Sequence, residues 1–286
     1  MKPSRIVRET IDIEVLDKQQ GHKYEHGHVL VVSGASGRTG ASRLAAKAAL
    51  RIGAGAVTLA VPPAAQLEVS MHITALMQQR VSCADSLRGI LSDDRISSVC
   101  IGPGLGVDAP HPELVQAVLE SGKQCVLDAD ALTILAQNEP LKKLLGPHCV
   151  LTPHAGEFQR LFGRGNHAAH AMSESDDKAQ ICLASARKAG AIVLYKGAIT
   201  AIAHPDGRMA MHHALRERAA PWLATAGAGD VLAGMIAGLI ARSIEPFTAA
   251  QYATWLHVEA ARSFGPGLIA EDLTEELPKV FRELGL

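Results

Sequence analysis

The segment Ala224-Thr225-Ala226-Gly227-Ala228-Gly229-Asp230, followed at once by the apolar run from Val231 to Ala241, has the makings of a phosphate-handling site. Small residues give way to a predicted helix, and an acid stands at the junction. The first turn of a helix presents amide N–H groups without intrahelical partners and a partial positive charge, so phosphate oxygens bind there without Lys or Arg. Gly227 and Gly229 lack a Cβ and let the backbone approach a ligand. An acid in that place repels a phosphate unless it takes a proton from a group attacking the phosphorus. The alternative reading of Asp230 is a carboxylate that only stabilises the helix start.

Five other segments carry polar or glycine-rich clusters at the ends of predicted strands, where open parallel sheets bind ligands. Val32-Ser33-Gly34-Ala35-Ser36-Gly37-Arg38-Thr39-Gly40 has spacing close to a dinucleotide fingerprint, so a dehydrogenase has to be weighed. Against it, the run Val57 to Val61 leads into Pro62-Pro63 with no acid for a ribose, and no Tyr-x-x-x-Lys pair occurs. The loop is therefore expected to touch a bulky substrate. Ile101-Gly102-Pro103-Gly104-Leu105-Gly106 leaves backbone close to whatever lies above it. In Val126-Leu127-Asp128-Ala129-Asp130-Ala131, Asp128 is read as a site residue able to hold magnesium through water, and Asp130 as a helix cap. His154, in Thr152-Pro153-His154-Ala155-Gly156-Glu157, can donate a hydrogen bond to a substrate. Lys196, at the start of Lys196-Gly197-Ala198-Ile199-Thr200, is a phosphate contact or a solvated strand-end lysine.

What positions these residues is an alternation of short apolar runs with helical segments. Predicted strands are His28–Ser33, Ala56–Val61, Ser98–Ile101, Gln124–Leu127, Cys149–Leu151 and Ile192–Tyr195. Predicted helices include Ala41–Ile52, Pro112–Glu120, Gly156–Phe162 and Glu174–Ala189. Strands that are apolar throughout predict a parallel sheet covered on both faces. After Lys196, Thr200–Ala203 and Arg208–His212 flank the turn His204-Pro205-Asp206-Gly207 and predict an antiparallel hairpin. The remainder reads as three helices, Val231–Arg242, Pro246–Phe264 and Ile269–Leu284.

Composition sets the outer limits. With 286 residues, 48% of them hydrophobic and 20% charged, the chain has material for a large α/β core. A net charge of −1 and 3% aromatics offer nothing to nucleic acid or an anionic membrane. The five cysteines form no C-x-x-C pair and read as buried thiols in a reducing compartment. No signal-peptide core and no bilayer-length apolar run occur, so a cytoplasmic protein is expected.

Taken in order, from His22-Lys23-Tyr24 through these loops to Gly265-Pro266-Gly267-Leu268-Ile269-Ala270-Glu271-Asp272-Leu273, the set resembles the ADP-dependent NAD(P)H-hydrate dehydratase family of the ribokinase-like superfamily. The resemblance implies an α/β fold, a ribokinase-like three-layer α/β/α sandwich with a mostly parallel central sheet and a late antiparallel hairpin, forming one domain over residues 1–286. It implies a carbon–oxygen lyase that dehydrates (S)-NADHX and (S)-NADPHX to NADH and NADPH, with ADP as co-substrate leaving as AMP and phosphate. Carried over by position, hydrate binding falls on Ala41, Gly104, His154 and Asp230. Nucleotide binding falls on Lys196, Gly197, Ala198, Ile199, Thr200 and Gly229. Asp230 and Gly229 are the catalytic positions, with Ala226, Gly227, Ala228 and Gly229 as the anion hole. Magnesium, a homotetramer, and a functional link to an NAD(P)HX epimerase, here without a fused epimerase domain, are also implied.

Two departures stand out. Many members carry Asn-Pro-Gly before the anion loop where this chain has Ala220-Pro221-Trp222-Leu223, and Ala198-Ile199 replaces a more polar pair, leaving backbone as the expected nucleotide contact there. The runner-up is a ribokinase-like vitamin-precursor kinase, which shares Gly-Ala-Gly-Asp but not the substrate-side set. A binding protein without catalysis is third.

Overall fold

The structure, a computed structural model, describes residues 2–163 and 175–286. One sheet runs through them: β1 (Ser4–Arg5), β2 (His28–Val32), β3 (Ala56–Val61), β4 (Met77–Arg80), β5 (Ser98–Ile101), β6 (Gln124–Leu127), β7 (Cys149–Leu151), β8 (Ile192–Tyr195), β9 (Ile199–Ala203) and β10 (Met209–His213). Their order is β1-β10-β9-β8-β7-β6-β5-β2-β3-β4. From β4 to β8 every pairing is parallel; β9 runs antiparallel to both β8 and β10, with Met209 opposite Ala203 across the hairpin. The mostly parallel sheet and late hairpin are those expected from the sequence.

Because side chains alternate across a strand, an apolar strand feeds two cores at once. Val29 and Val31 of β2 belong to a core shared with the helices Gly40–Arg51, Ala228–Ala241, Pro246–Phe264 and Ala270–Leu284. Leu30 and Val32, one residue out of step, belong to a core on the other face with His111–Glu120, Ala129–Gln137, Ala155–Phe162 and Ser175–Ala189. That makes three layers.

Helix Ala228–Ala241 is buried at nearly every position and lies directly on helix Gly40–Arg51. The approach is set by small residues: a Cβ on Gly234 would fall 2.0 Å from the Ala45 carbonyl oxygen. A methyl there would push the helices apart at a cost of about 1–3 kcal/mol or more. This contact fixes where the N-terminus of Ala228–Ala241, and hence Asp230, stands relative to the sheet.

The edge strands β1 and β4 and the helix Ala84–Leu91 were not expected. Met77-Gln78-Gln79-Arg80 lacks an apolar face, so its pairing with β3 comes from backbone bonds at a solvated edge. The hairpin strands each begin one residue from their expected starts, at Ile199 and Met209. Glu174 of the expected helix lies outside the described residues. Four cysteines are buried as expected, but Cys83 is exposed at the start of helix Ala84–Leu91. Among the described residues no helix is long and apolar enough to cross a membrane.

Candidate active site

The site forms where β5 to β8 end and helix Ala228–Ala241 begins. Gly227 takes the left-handed conformation (φ 87°) as its N-cap, a geometry that suits a residue without a Cβ. Among the described residues the amides of Ala226, Gly227 and Gly229 make no hydrogen bond, and that of Ala228 reaches the Thr225 oxygen only at 3.5 Å. A row of unpaired donors at a helix start is an anion-binding surface. His257 Nε2 lies 2.9 Å from the Ala228 carbonyl oxygen. Burial holds this imidazole down to about 4, so it is neutral and anchors the turn as a donor.

Lys196, at the end of β8, reaches across β7 to Asp128 at the end of β6, with Nζ 2.8 Å from Oδ1. A Cβ on Gly229 would stand 3.2 Å from Lys196 Nζ and 3.8 Å from Asp128 Oδ2. The ion pair therefore lies against the first turn that carries Asp230. Burial, and after it the carboxylate of Asp128, pushes Asp230 up to about 7, against the pull of Lys196; Asp130 and Glu157 push the same way as Asp128. An acid held there changes charge near neutrality, which is what a general base requires.

His154 lines the same cavity as Lys196 and Gly229. Its Nδ1 accepts from the amides of Gly156 (3.0 Å) and Glu157 (3.3 Å), and Glu157 Oε2 accepts from the His154 amide at 2.8 Å. This capping box spends Nδ1 as an acceptor and leaves Nε2 to carry the proton. The expected donor is thus also a helix cap.

The cavity of about 790 Å³ is lined by Lys196, Gly197, Ala198 and Thr200 from the β8–β9 turn, by Ala228 and Gly229, and by apolar residues including Leu215, Pro221, Leu223 and Val258. Ile199 is outside the lining, and its carbonyl accepts from Lys178 Nζ. The Ala198 carbonyl accepts from the Ala214 amide at 2.8 Å. Trp222 is 48% exposed and also outside the lining, whereas Ala220 lines it, so the departure from Asn-Pro-Gly reaches the cavity at Ala220.

Ala41 and Gly104 meet where the two glycine loops pack together. A Cβ on Gly104 would stand 3.3 Å from the Ala41 Cβ, and one on Gly34 would fall 1.8 Å from the Gly104 oxygen. Asp130, read from sequence as a helix cap, does something else: its Oδ2 accepts the Gly106 amide at 2.8 Å and ties the second glycine loop to β6. The N-cap position of helix Ala129–Gln137 belongs to Asp128, whose side chain makes no capping bond because Lys196 holds it. Sequence reading missed Lys178, Glu68 and His257. Glu68 accepts from Ser36 Oγ and the Gly37 amide, both at 2.8 Å, and from Thr39 Oγ1, so it pins the first loop. None of the three stands in a strand-end motif, which was the only signal available.

Among the described residues no group of three or more His, Cys, Asp or Glu is placed to hold a metal ion. With one Asp128 oxygen given to Lys196, the donor set fits magnesium carried on nucleotide phosphates, not a protein cage.

Known proteins place this arrangement. The family model described as NAD(P)H-hydrate dehydratase matches residues 29–279. An ADP-dependent (S)-NAD(P)H-hydrate dehydratase of Xanthomonas campestris is 34% identical over 92% of this chain and 91% of its own length. A bifunctional NAD(P)H-hydrate repair enzyme of Moorella thermoacetica is 40% identical over 92% of this chain and 51% of its own. The chain spans about half the length of several of the curated relatives it matches. The solved ADP/ATP-dependent NAD(P)H-hydrate dehydratase of Bacillus subtilis, co-crystallised with ATP and Mg2+, superimposes with a TM-score of 0.78 at 25% identity, covering 99% of both chains. The layered sheet is that of ribokinase-like proteins. With the match extending from β2 into the last helix, and with the helix-start acid, strand-end lysine and paired glycine loops in one place, the chain belongs to the NAD(P)H-hydrate dehydratase family.

Proposed function

We propose that this chain dehydrates (S)-NADHX and (S)-NADPHX to NADH and NADPH at the expense of ADP, releasing AMP and phosphate. The observation that carries the reading is Asp230, held near 7 at a helix start whose amides are unpaired and beside the Lys196–Asp128 pair. Asp230 takes the proton from the hydrate hydroxyl, whose oxygen attacks the β-phosphorus as the bond to AMP breaks. The amides of Ala226 to Gly229 hold the phosphoryl oxygens as charge shifts. Phosphate then leaves the ring carbon with its bonding electrons. Loss of a proton from the adjacent carbon restores the double bond, and phosphate is a far better leaving group than hydroxide.

In this reading Lys196, Gly197, Ala198, Thr200 and Gly229 flank the nucleotide, and Ala41, Gly104 and His154 flank the hydrate. Magnesium bound to the nucleotide phosphates would neutralise part of their charge. The same reading takes residues 1–286 as one catalytic domain working as a cytoplasmic homotetramer. Relatives named as bifunctional repair enzymes and about twice as long support a link to an epimerase for the same hydrates.

The test mixes the protein, magnesium, ADP and the hydrate and follows reduced-nicotinamide absorbance. Absorbance should rise only with nucleotide, with AMP and phosphate formed in equal amounts. No rise with ADP or ATP, alongside phosphorylation of a vitamin alcohol, would replace this reading with the kinase.

A further inference from the structure

A second cavity, of about 950 Å³, lies along the helix Gly40–Arg51 where it meets the last helix and residues 72–76. Its floor is apolar, with Leu44, Ile73, Leu76 and Phe281, and its rim carries six cationic side chains against the side-chain carboxylates of Asp17 and Glu271. Three of the cations are engaged. Lys47 and Arg51 pair with Glu275, and Arg242 donates to the carbonyls of Leu16, Asp17 and Ile52. Among the described residues the side chains of Lys18, Arg43 and Arg282 have neither ion pair nor hydrogen bond, although the charge of Arg43 is felt by the Glu68 carboxylate. Arg43 Nε is shielded from solvent with no acceptor. A guanidinium N–H shut away from water without a partner is costly; the rest of the Arg43 side chain, half-buried, lines the groove.

We propose that this groove is a second ligand site, for a small molecule with an anionic head group on an apolar body. The head group lies among Lys18, Arg43 and Arg282, and the body lies on Leu44, Ile73 and Phe281. The charge excess on the rim selects the anion, and the floor selects against a purely polar one such as free phosphate. The site is separate from the nucleotide cavity: the two share no lining residue. Leu44 also packs against the turn before helix Ala228–Ala241, its Cδ1 2.7 Å from where a Cβ on Gly227 would be.

The test uses calorimetric titration of the whole chain, in excess ADP, with decyl phosphate, decanol and inorganic phosphate. Decyl phosphate should bind once per chain, and the other two at least about tenfold more weakly. Arg43→Gln with Arg282→Gln should weaken decyl phosphate about tenfold or more and leave ADP affinity and turnover unchanged. If that pair melts early, Lys18→Gln with Arg282→Gln serves for the same measurement. Displacement of decyl phosphate by ADP, equal binding of decanol, or wild-type affinity in the double variants would overturn the proposal. So would a change of molecular mass in sedimentation on the same substitutions, which would make the groove a contact between copies of the chain.

Discussion

Lys196 Nζ stands 2.8 Å from Asp128 Oδ1, joining the ends of two strands that are not neighbours in the sheet; the side chains are 18% and 2% exposed. Burial opposes the ammonium, but Asp128, together with Glu157 and Asp230, more than offsets it and holds Lys196 above its ordinary value. The pair is thus a fixed dipole against the first turn of helix Ala228–Ala241. Asp230 feels both ends of it, raised by Asp128 and lowered by Lys196. Its ionisation is therefore adjustable from either residue.

That adjustment is measurable in the pH profile of kcat/KM. Activity that needs ionised Asp230 should rise with pH through about 7. Lys196→Gln removes the stabilising cation and should move the rising limb to higher pH. Asp128→Asn removes the repelling carboxylate and should move it to lower pH. Both substitutions lower the maximum rate, since each leaves a buried partner unpaired, but the limbs move in opposite directions. Limbs that moved together would show that the pair does not act on Asp230.

Asp230→Asn should lower turnover by at least about 10²-fold, the scale of a lost general base, with ADP affinity nearly kept. It should also change stability in a pH-dependent way. The folded-state value, about 7, lies above the ordinary 3.8. The wild type therefore loses stability from this group as pH rises from about 4 to 7, while the asparagine variant does not. The melting-temperature advantage of the variant should grow across that window and stay flat above it. A constant difference from pH 4 to 8 would mean that Asp230 is not held neutral in the fold.

Much of this site was legible because the sheet is parallel. Strand-end motifs at Gly102–Gly106, Asp128, His154 and Lys196 must converge once the strands run the same way, and apolar runs such as Val29 to Val32 gave that direction away. Contacts made across the layers left no such trace. Asp130 looked like a cap because Asp near a helix start usually is one, and only the packing of β5 beside β6 brings the Gly106 amide to it. Edge strand β4 was invisible for the same reason: Met77 to Arg80 has no apolar period, and its pairing is decided by the exposed edge of β3.

The junction of the two glycine loops gives a test confined to the proposed hydrate side. A Cβ at Gly34 would stand 1.8 Å from the Gly104 oxygen and 2.7 Å from its carbonyl carbon, so Gly34→Ala must part the loops. If Ala41 and Gly104 flank the hydrate, its KM should rise about tenfold or more while the KM for ADP holds; the fold should lose about 1–3 kcal/mol. Equal loss for both substrates would place the loops elsewhere in the reaction.

Lys178 gives the matching test on the proposed nucleotide side. From helix Ser175–Ala189 its Nζ donates to the carbonyls of Lys196 (3.2 Å) and Ile199 (2.5 Å) and lies 4.0 Å from the Tyr195 ring centroid. Burial holds the ammonium down to about 8, so it remains largely charged near neutrality. The lysine thereby closes the turn from Lys196 to Thr200 from behind, without lining the cavity. Lys178→Met keeps the stem but leaves two carbonyls without their donor, a loss of about 1–3 kcal/mol in melting experiments. The turn should then hold the nucleotide less well, raising the KM for ADP several-fold with kcat nearly kept, because Asp230 and the helix start are untouched. A fall in kcat with unchanged KM would mean that the turn orients Lys196 for chemistry and does not seat the nucleotide.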